Sequence, residues 1–259
     1  MKAGTEILLK ENLKALNLSH TFSSLGSLIR QSLENGTGYE EFLLALTEVE
    51  LQMRAESRLK RKLREAKFPL LKTLEQFDYN SVEVLDKRLM HELESGDYLS
   101  NHRNIIFMGK SGTGKTHLAT GLGVAACRQG ISTRFVNGCG LSMELIEAQS
   151  ERRLSRVIQK YARYGLVVLD ELGYVPFSKE SAELLFQVLA ERHERGSVII
   201  TTNLGFADWT QVFGDATLTA TLLDRLTHKA HIINCTWESY RLKETLKARR
   251  ESLKGSKNN

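Results

Sequence analysis

The chain has 259 residues, of which 41% are hydrophobic and 26% charged, enough for one large α/β domain and a small extra module. No run of 18 apolar residues occurs and the first residues lack the apolar core of a secretory signal, so no membrane span is expected and the reading is cytoplasmic. The net charge of +5 favours a polyanionic partner, the more so because the bases are concentrated. Residues 54–67 carry seven bases against two acids, and residues 241–259 repeat that balance. The plain alternative for each tract is a solvated helix face. Cys127, Cys139 and Cys235 are too scattered for a zinc site and read as reduced thiols.

Residues 5–66 read as helical, because leucine and isoleucine recur three and four apart. Thr37 and Glu40 have capping-box spacing, which predicts a long helix from Tyr39 to about Lys67 with Phe42, Leu46, Val49 and Met53 on one face. Phe68-Pro69 stops it, since proline drives its predecessor out of the α region. This separates a helical module, 1–67, from the remainder, 68–259. Residues 68–81 read as an ordered linker anchored by Leu70, Leu71, Leu74, Phe77 and Tyr79. A helix is expected over Val82–Glu94, closed by Gly96.

From Asn104 the pattern alternates between short apolar runs and helices. Strands are predicted at Ile105–Met108, Arg134–Val136, Leu166–Leu169, Val198–Thr202 and His231–Asn234. Helices are predicted at Lys115–Gln129, Leu141–Ala162, Ser178–Arg195 and Trp237–Arg250. Such alternation, with strands apolar throughout, implies a parallel sheet covered on both faces.

Five motifs sit on this frame. Gly109-Lys110-Ser111-Gly112-Thr113-Gly114-Lys115-Thr116 follows a strand and opens a helix, as a phosphate-binding loop does. Its glycines let the backbone wrap phosphate oxygens, Lys115 would reach the β and γ phosphates of ATP, and the Thr116 hydroxyl would ligate Mg²⁺. Leu166–Leu169 ends in Asp170 and Glu171, at the carboxyl end of a strand where such sheets bind ligands. Asp170 would hold Mg²⁺, mostly through water, and Glu171 would orient and polarise the attacking water. This carboxylate pair predicts hydrolysis, not transfer to a small acceptor. Asn203 closes Val198–Thr202, placed to reach the γ-phosphate if that strand lies between the other two. Arg225 is a candidate arginine finger for a neighbouring subunit's ATP, and Arg241 a candidate γ-phosphate contact within its own subunit.

Taken in order, Gly109–Thr116, Leu166–Glu171, Thr201–Asn203, Asp224-Arg225 and Trp237–Arg241 resemble an AAA+ ATPase of the initiator and helicase-loader branch. The chain is most similar to the IstB family, ATPase helpers encoded beside the transposase in insertion sequences, and more distantly to the DnaC helicase loader. The likeness spans the helical module, Ala66–Pro69, Lys72–Asp78 and Asp170–Tyr174. It implies a five-stranded P-loop sheet ordered 5-1-4-3-2, homo-oligomers with ATP at subunit interfaces, binding of double-stranded DNA, and stimulation of a cognate transposase. It makes Arg225 the finger and Arg241 a second sensor, although the roughly 25 residues after the fifth strand are too few for a full helical lid. It also turns Leu141–Ala162, with Arg152, Arg153, Arg156 and Lys160, toward DNA, against the plain reading of a helix ion-paired through Glu144, Glu147 and Glu151. A replicative helicase loader is the rival reading, and a module using ATP only as structural glue is a third.

Overall fold

The computed structural model describes residues 3–82, 84–240 and Thr245. The chain forms two compact units, Met1–Arg61 and Lys62–Asn259. Their division falls inside the long third helix, earlier than the Lys67 boundary drawn from the proline.

The first unit is helical: α1 (Ala3–Ala15), α2 (Ser19–Asn35) and α3 (Tyr39–Ala66), the last running on into the second unit. The Thr37–Glu40 capping box does not form. Gly38 precedes the helix instead, and its N–H donates to Glu41 Oε2 at 3.4 Å, while the Thr37 hydroxyl donates back to Ser32 O. Phe42, Leu46 and Val49 are half-buried as the periodicity predicts, but Met53 is exposed. Glu50 is the buried residue of that face. Its carboxylate accepts from Thr21 N at 2.7 Å, Thr21 Oγ at 2.8 Å and Arg54 Nε at 2.8 Å, and Arg54 also donates to Asn17 O. Burial pushes the Glu50 carboxyl up, yet the bonds from Arg54 and Thr21 outweigh it and hold the group below its ordinary range.

The second unit is a parallel sheet ordered β2-β3-β4-β1-β5, as the resemblance implied. Its strands are β1 (Ile105–Gly109), β2 (Thr133–Asn137), β3 (Leu166–Asp170), β4 (Ser197–Thr202) and β5 (His231–Cys235). The helices are α4 (Lys87–Ser95), α5 (Asp97–Ser100), α6 (Lys115–Arg128), α7 (Gly138–Ser150), α8 (Leu154–Ala162), α9 (Lys179–Arg192), α10 (Trp209–Phe213) and α11 (Ala216–Thr227). Side chains alternate across the pleat and divide the core in two. Ile106, Val167, Leu169, Val198 and Ile200 pack with α7–α11, whereas Ile105, Phe107, Leu166, Val168 and Ile199 pack with α4, α6 and the 68–81 linker. The linker is ordered as expected: Leu74 is buried and Phe68 meets the Phe135 ring edge-on at 5.9 Å.

Three boundaries differ from expectation, two of them through a cap. The helix expected from Val82 starts at Lys87, because Asp86 Oδ1 accepts from Arg88 N and Leu89 N; Val82 and Leu85 are buried loop anchors. Leu141–Ala162 is two helices, broken where Arg152 adopts φ +57° and Arg153 N bonds back to Ala148 O. Trp237–Ser239 are not helical, and most of the expected terminal helix, Arg241 included, lies outside the described residues. The helices α10 and α11 were not anticipated, α11 being rich in threonine, a weak helix former, and started by Asp215 accepting from Leu218 N.

Asn104, just before β1, ties the amino edge of the sheet. Its Nδ2 donates to Leu226 O, its Oδ1 accepts from Val198 N, and its own carbonyl accepts from His231 N.

The Glu50 network sets a pH dependence. A carboxyl whose folded pKa lies below its unfolded value adds stability above the unfolded pKa and loses it as pH falls through the folded one. Amide exchange in residues 19–35 should accelerate as pH falls through the carboxylate range, once corrected for intrinsic rates. Glu50→Gln should flatten that dependence and cost about 1–2 kcal/mol at neutral pH. An unchanged acid response in Glu50→Gln would remove this network as its source.

Candidate nucleotide site

The carboxyl edge of the sheet carries the site. Between β1 and α6 the loop turns through Gly112 at φ +83° and Gly114 at φ +89°. A Cβ at Gly112 would lie 2.0 Å from Ser239 Oγ, and one at Gly114 would lie 2.8 Å from the Phe77 ring, so backbone conformation and space both demand glycine. Lys115 Nζ folds over the loop and donates to the carbonyls of Gly109 and Lys110, each at 2.7 Å. Thr113 Oγ donates to Lys110 O, pinning the turn from inside.

Asp170, at the end of β3, is only 6% exposed. Thr116 Oγ donates to its Oδ1 at 2.9 Å, and Thr201 Oγ donates to the same oxygen at 2.5 Å. Thr201 also accepts from Glu171 N at 2.9 Å, and its carbonyl accepts from Leu172 N. These bonds hold Glu171 in the left-handed region, at φ +55°, with the residue exposed beside the buried aspartate. Thr201 is the functional residue that motif reading missed. Leu169 pairs with Ile200 in the β3–β4 register, so strand order alone would have set Thr201 beside Asp170.

A cleft of about 670 Å³ opens here, lined by Ser111–Thr116, Glu171 and Asn203. Phe77, His117 and Trp237 line it as well. His117 Nε2 lies 2.9 Å from Thr73 O and its ring meets Phe77 at 5.3 Å; burial lowers its pKa, favouring the neutral form. Trp237 Nε1 donates to Thr113 O at 2.7 Å, and Tyr240 N donates to Gly112 O at 3.0 Å.

Residues 11–248 match the IstB-like ATP binding protein family. The chain is 38% identical over 236 residues to the insertion sequence IS21 ATP-binding protein of Pseudomonas aeruginosa, with 91% of this chain and 89% of that protein aligned. It is 35% identical over 236 residues to the insertion sequence IS232 ATP-binding protein of Bacillus thuringiensis subsp. berliner, covering 91% of this chain and 94% of that one. The chain belongs to the IstB-like ATP binding protein family.

Among solved structures, AMPPCP-bound DnaA from Aquifex aeolicus aligns with a TM-score of 0.56 at 17% identity, over 71% of this chain and 56% of that one. DnaI aligns with a TM-score of 0.53 at 16% identity, over 63% of this chain and 90% of that one. The second unit of this IstB-like protein thus has the P-loop AAA+ fold. No helix among the described residues is long and apolar enough to cross a membrane.

Arg225 does not join the cleft. It lies near Asn104, Arg192, His193 and Val198, at the amino edge of the sheet, with its guanidinium 5.2 Å from the Phe186 ring centre. On the α7–α8 hairpin, Arg153 pairs with Glu147 and Glu151 and Lys160 with Glu144, while Arg152 and Arg156 form no ion pair among the described residues. The ion-paired reading of that segment thus holds for Arg153 and Lys160.

Thr201→Val removes a donor to Asp170 and the acceptor for Glu171 N. It should cost about 2–3 kcal/mol in urea unfolding, while Thr201→Ser stays near the parent. Equal midpoints for the two variants would deny the hydroxyl its bridging role.

Proposed function

We propose that this protein hydrolyses ATP with Mg²⁺ at sites shared between copies, and that the assembly binds duplex DNA to assist the transposase of its insertion sequence. One observation carries the shared site. The loop, Asp170 and Glu171 stand at the carboxyl edge of the sheet, whereas Arg225 stands at the amino edge, beyond its own cleft. The DNA and transposase roles are supported by the basic tracts, by the cations of the α7–α8 hairpin, and by relatives whose names place them in insertion sequences.

The side chains suit this chemistry. Lys115, whose Nζ rests on loop carbonyls, exchanges them for β and γ phosphate oxygens. Thr116 and Asp170 present a hydroxyl and a carboxylate 2.9 Å apart, the oxygen donors that Mg²⁺ prefers. Bound there, Mg²⁺ would neutralise phosphate charge. Glu171 takes up the polarised water's proton, and its left-handed backbone is the kind of strain that surrounding bonds preserve at working sites. Asn203 orients that water against the γ-phosphate. Arg225 of one copy neutralises charge on its neighbour's ATP, and Arg241, outside the described residues, is assigned the γ-phosphate of its own copy.

Glu171→Gln should lower steady-state phosphate release about 10²–10⁴-fold while nucleotide-dependent binding to duplex DNA persists. Loss of nucleotide binding as well would refute the role given to Glu171. Capture of the transposase, rather than a replicative helicase, separates this reading from its loader rival.

Sharing across copies is tested by mixing. Lys115→Ala and Arg225→Ala should each be inactive alone, the second having lost a group worth about 10³–10⁵ in rate. Combined, they should regain part of the turnover, because an intact loop then meets an intact finger. No recovery in oligomers shown to be mixed would place Arg225 outside catalysis across the interface.

A further inference from the structure

The amino edge of the sheet holds a second chemical cluster. Nδ1 or Nε2 of His193, a carboxylate oxygen of Glu194 and a ring nitrogen of His228 all lie within 4.8 Å of one another. Among the described residues none of these side chains makes a hydrogen bond or an ion pair, although the two rings face each other at 6.1 Å. His193 is half-buried and the other two are exposed. We propose that these three side chains form a binding site for a transition-metal dication of the zinc type.

A second observation favours a cation here. His193 is the C-cap of α9 and His228 the C-cap of α11, so two helix carboxyl ends converge on the cluster. Each presents about half a negative charge. Glu194 supplies the one full negative charge among the ligands. Arg192 and Arg225, which line the same small recess, oppose it. With a single carboxylate among its three ligands, the cluster lacks the several oxygen donors on which calcium and magnesium depend. Two imidazoles and one carboxylate suit zinc, which takes nitrogen at about 2.0–2.1 Å and tolerates a water as fourth ligand. Small rotations of exposed side chains close the remaining distance.

The metal would join the ends of two helices distant in sequence. It would fix the last turn of α11, where His228 follows Arg225 by three residues and so shares its face. The site stands apart from the nucleotide cleft of its own copy, and its test reads metal and not turnover.

Zinc titrated into the full chain, with excess Mg²⁺ to occupy the nucleotide cleft, should bind at one ion per chain. His193→Gln and His228→Gln should each weaken it by about tenfold or more, with Asp170→Ala unaffected. In the parent protein, zinc should protect His193 and His228 from diethyl pyrocarbonate while the exposed His91 stays reactive, a readout that needs no variant to fold. Zinc uptake unchanged in the double histidine variant, or no protection at saturating zinc, would overturn the site.

Discussion

Asp170 is buried at the carboxyl end of β3, where a carboxylate without partners would cost several kcal/mol. Two hydroxyls keep it there, Thr116 from the first turn of α6 and Thr201 from the end of β4. One oxygen atom thus gathers the phosphate loop, the acidic strand and the strand that delivers Asn203. This is possible only because β4 lies between β1 and β3, an order that requires the chain to leave the sheet and return across it. The topology and the hydrogen bonds explain each other: the crossover brings Thr201 to Asp170, and the need to satisfy Asp170 rewards the crossover.

The loop is held as firmly from its flanks as from below. On one side Thr73 and Phe77, in the segment leading into the sheet, pack on His117 of α6, while Arg128 at the end of α6 pairs with Glu75 at 2.7 Å. Thr73 and Arg128 hold the Glu75 carboxyl down to about 2. On the other side the residues after β5 close over the loop through Trp237 and Tyr240. The loop is thus hydrogen-bonded from one neighbouring segment and packed against the other.

The phosphate loop, the strands and Asp170-Glu171 were legible because each is a local pattern: glycines at fixed spacing, apolar runs of strand length, acids at a strand end. What stayed hidden depends on who meets whom. Thr201 is an ordinary strand residue until its register partner is known. Glu50 sits on the apolar face of α3, at a position where helical periodicity gives no hint that a carboxylate will be buried against Thr21. The Thr37–Glu40 spacing offered a cap, but Gly38 and Glu41 took that role one residue later, a choice that composition leaves nearly even. The break at Arg152 was invisible because a non-glycine residue in the left-handed region carries no sequence signature. Helix α11 carries weak local signal, since threonine is a poor helix former, and its buried Leu222 and Leu226 secure it to the core.

The distance between the two edges of the sheet decides what kind of assembly the proposed chemistry requires. The strand β1 has five residues, so at roughly 3.3 Å per residue about 16 Å of sheet separate Asn104 from the loop. Arg225 is anchored at the far edge, by Asn104 through Leu226 O and by the Phe186 ring. An arginine so placed serves a nucleotide only when the amino edge of one copy meets the carboxyl edge of the next. Where that contact runs head to tail it is heterologous, and each copy then keeps one edge for a further neighbour. On the proposed chemistry, such a contact repeated head to tail from copy to copy would build a closed ring or an open helical filament.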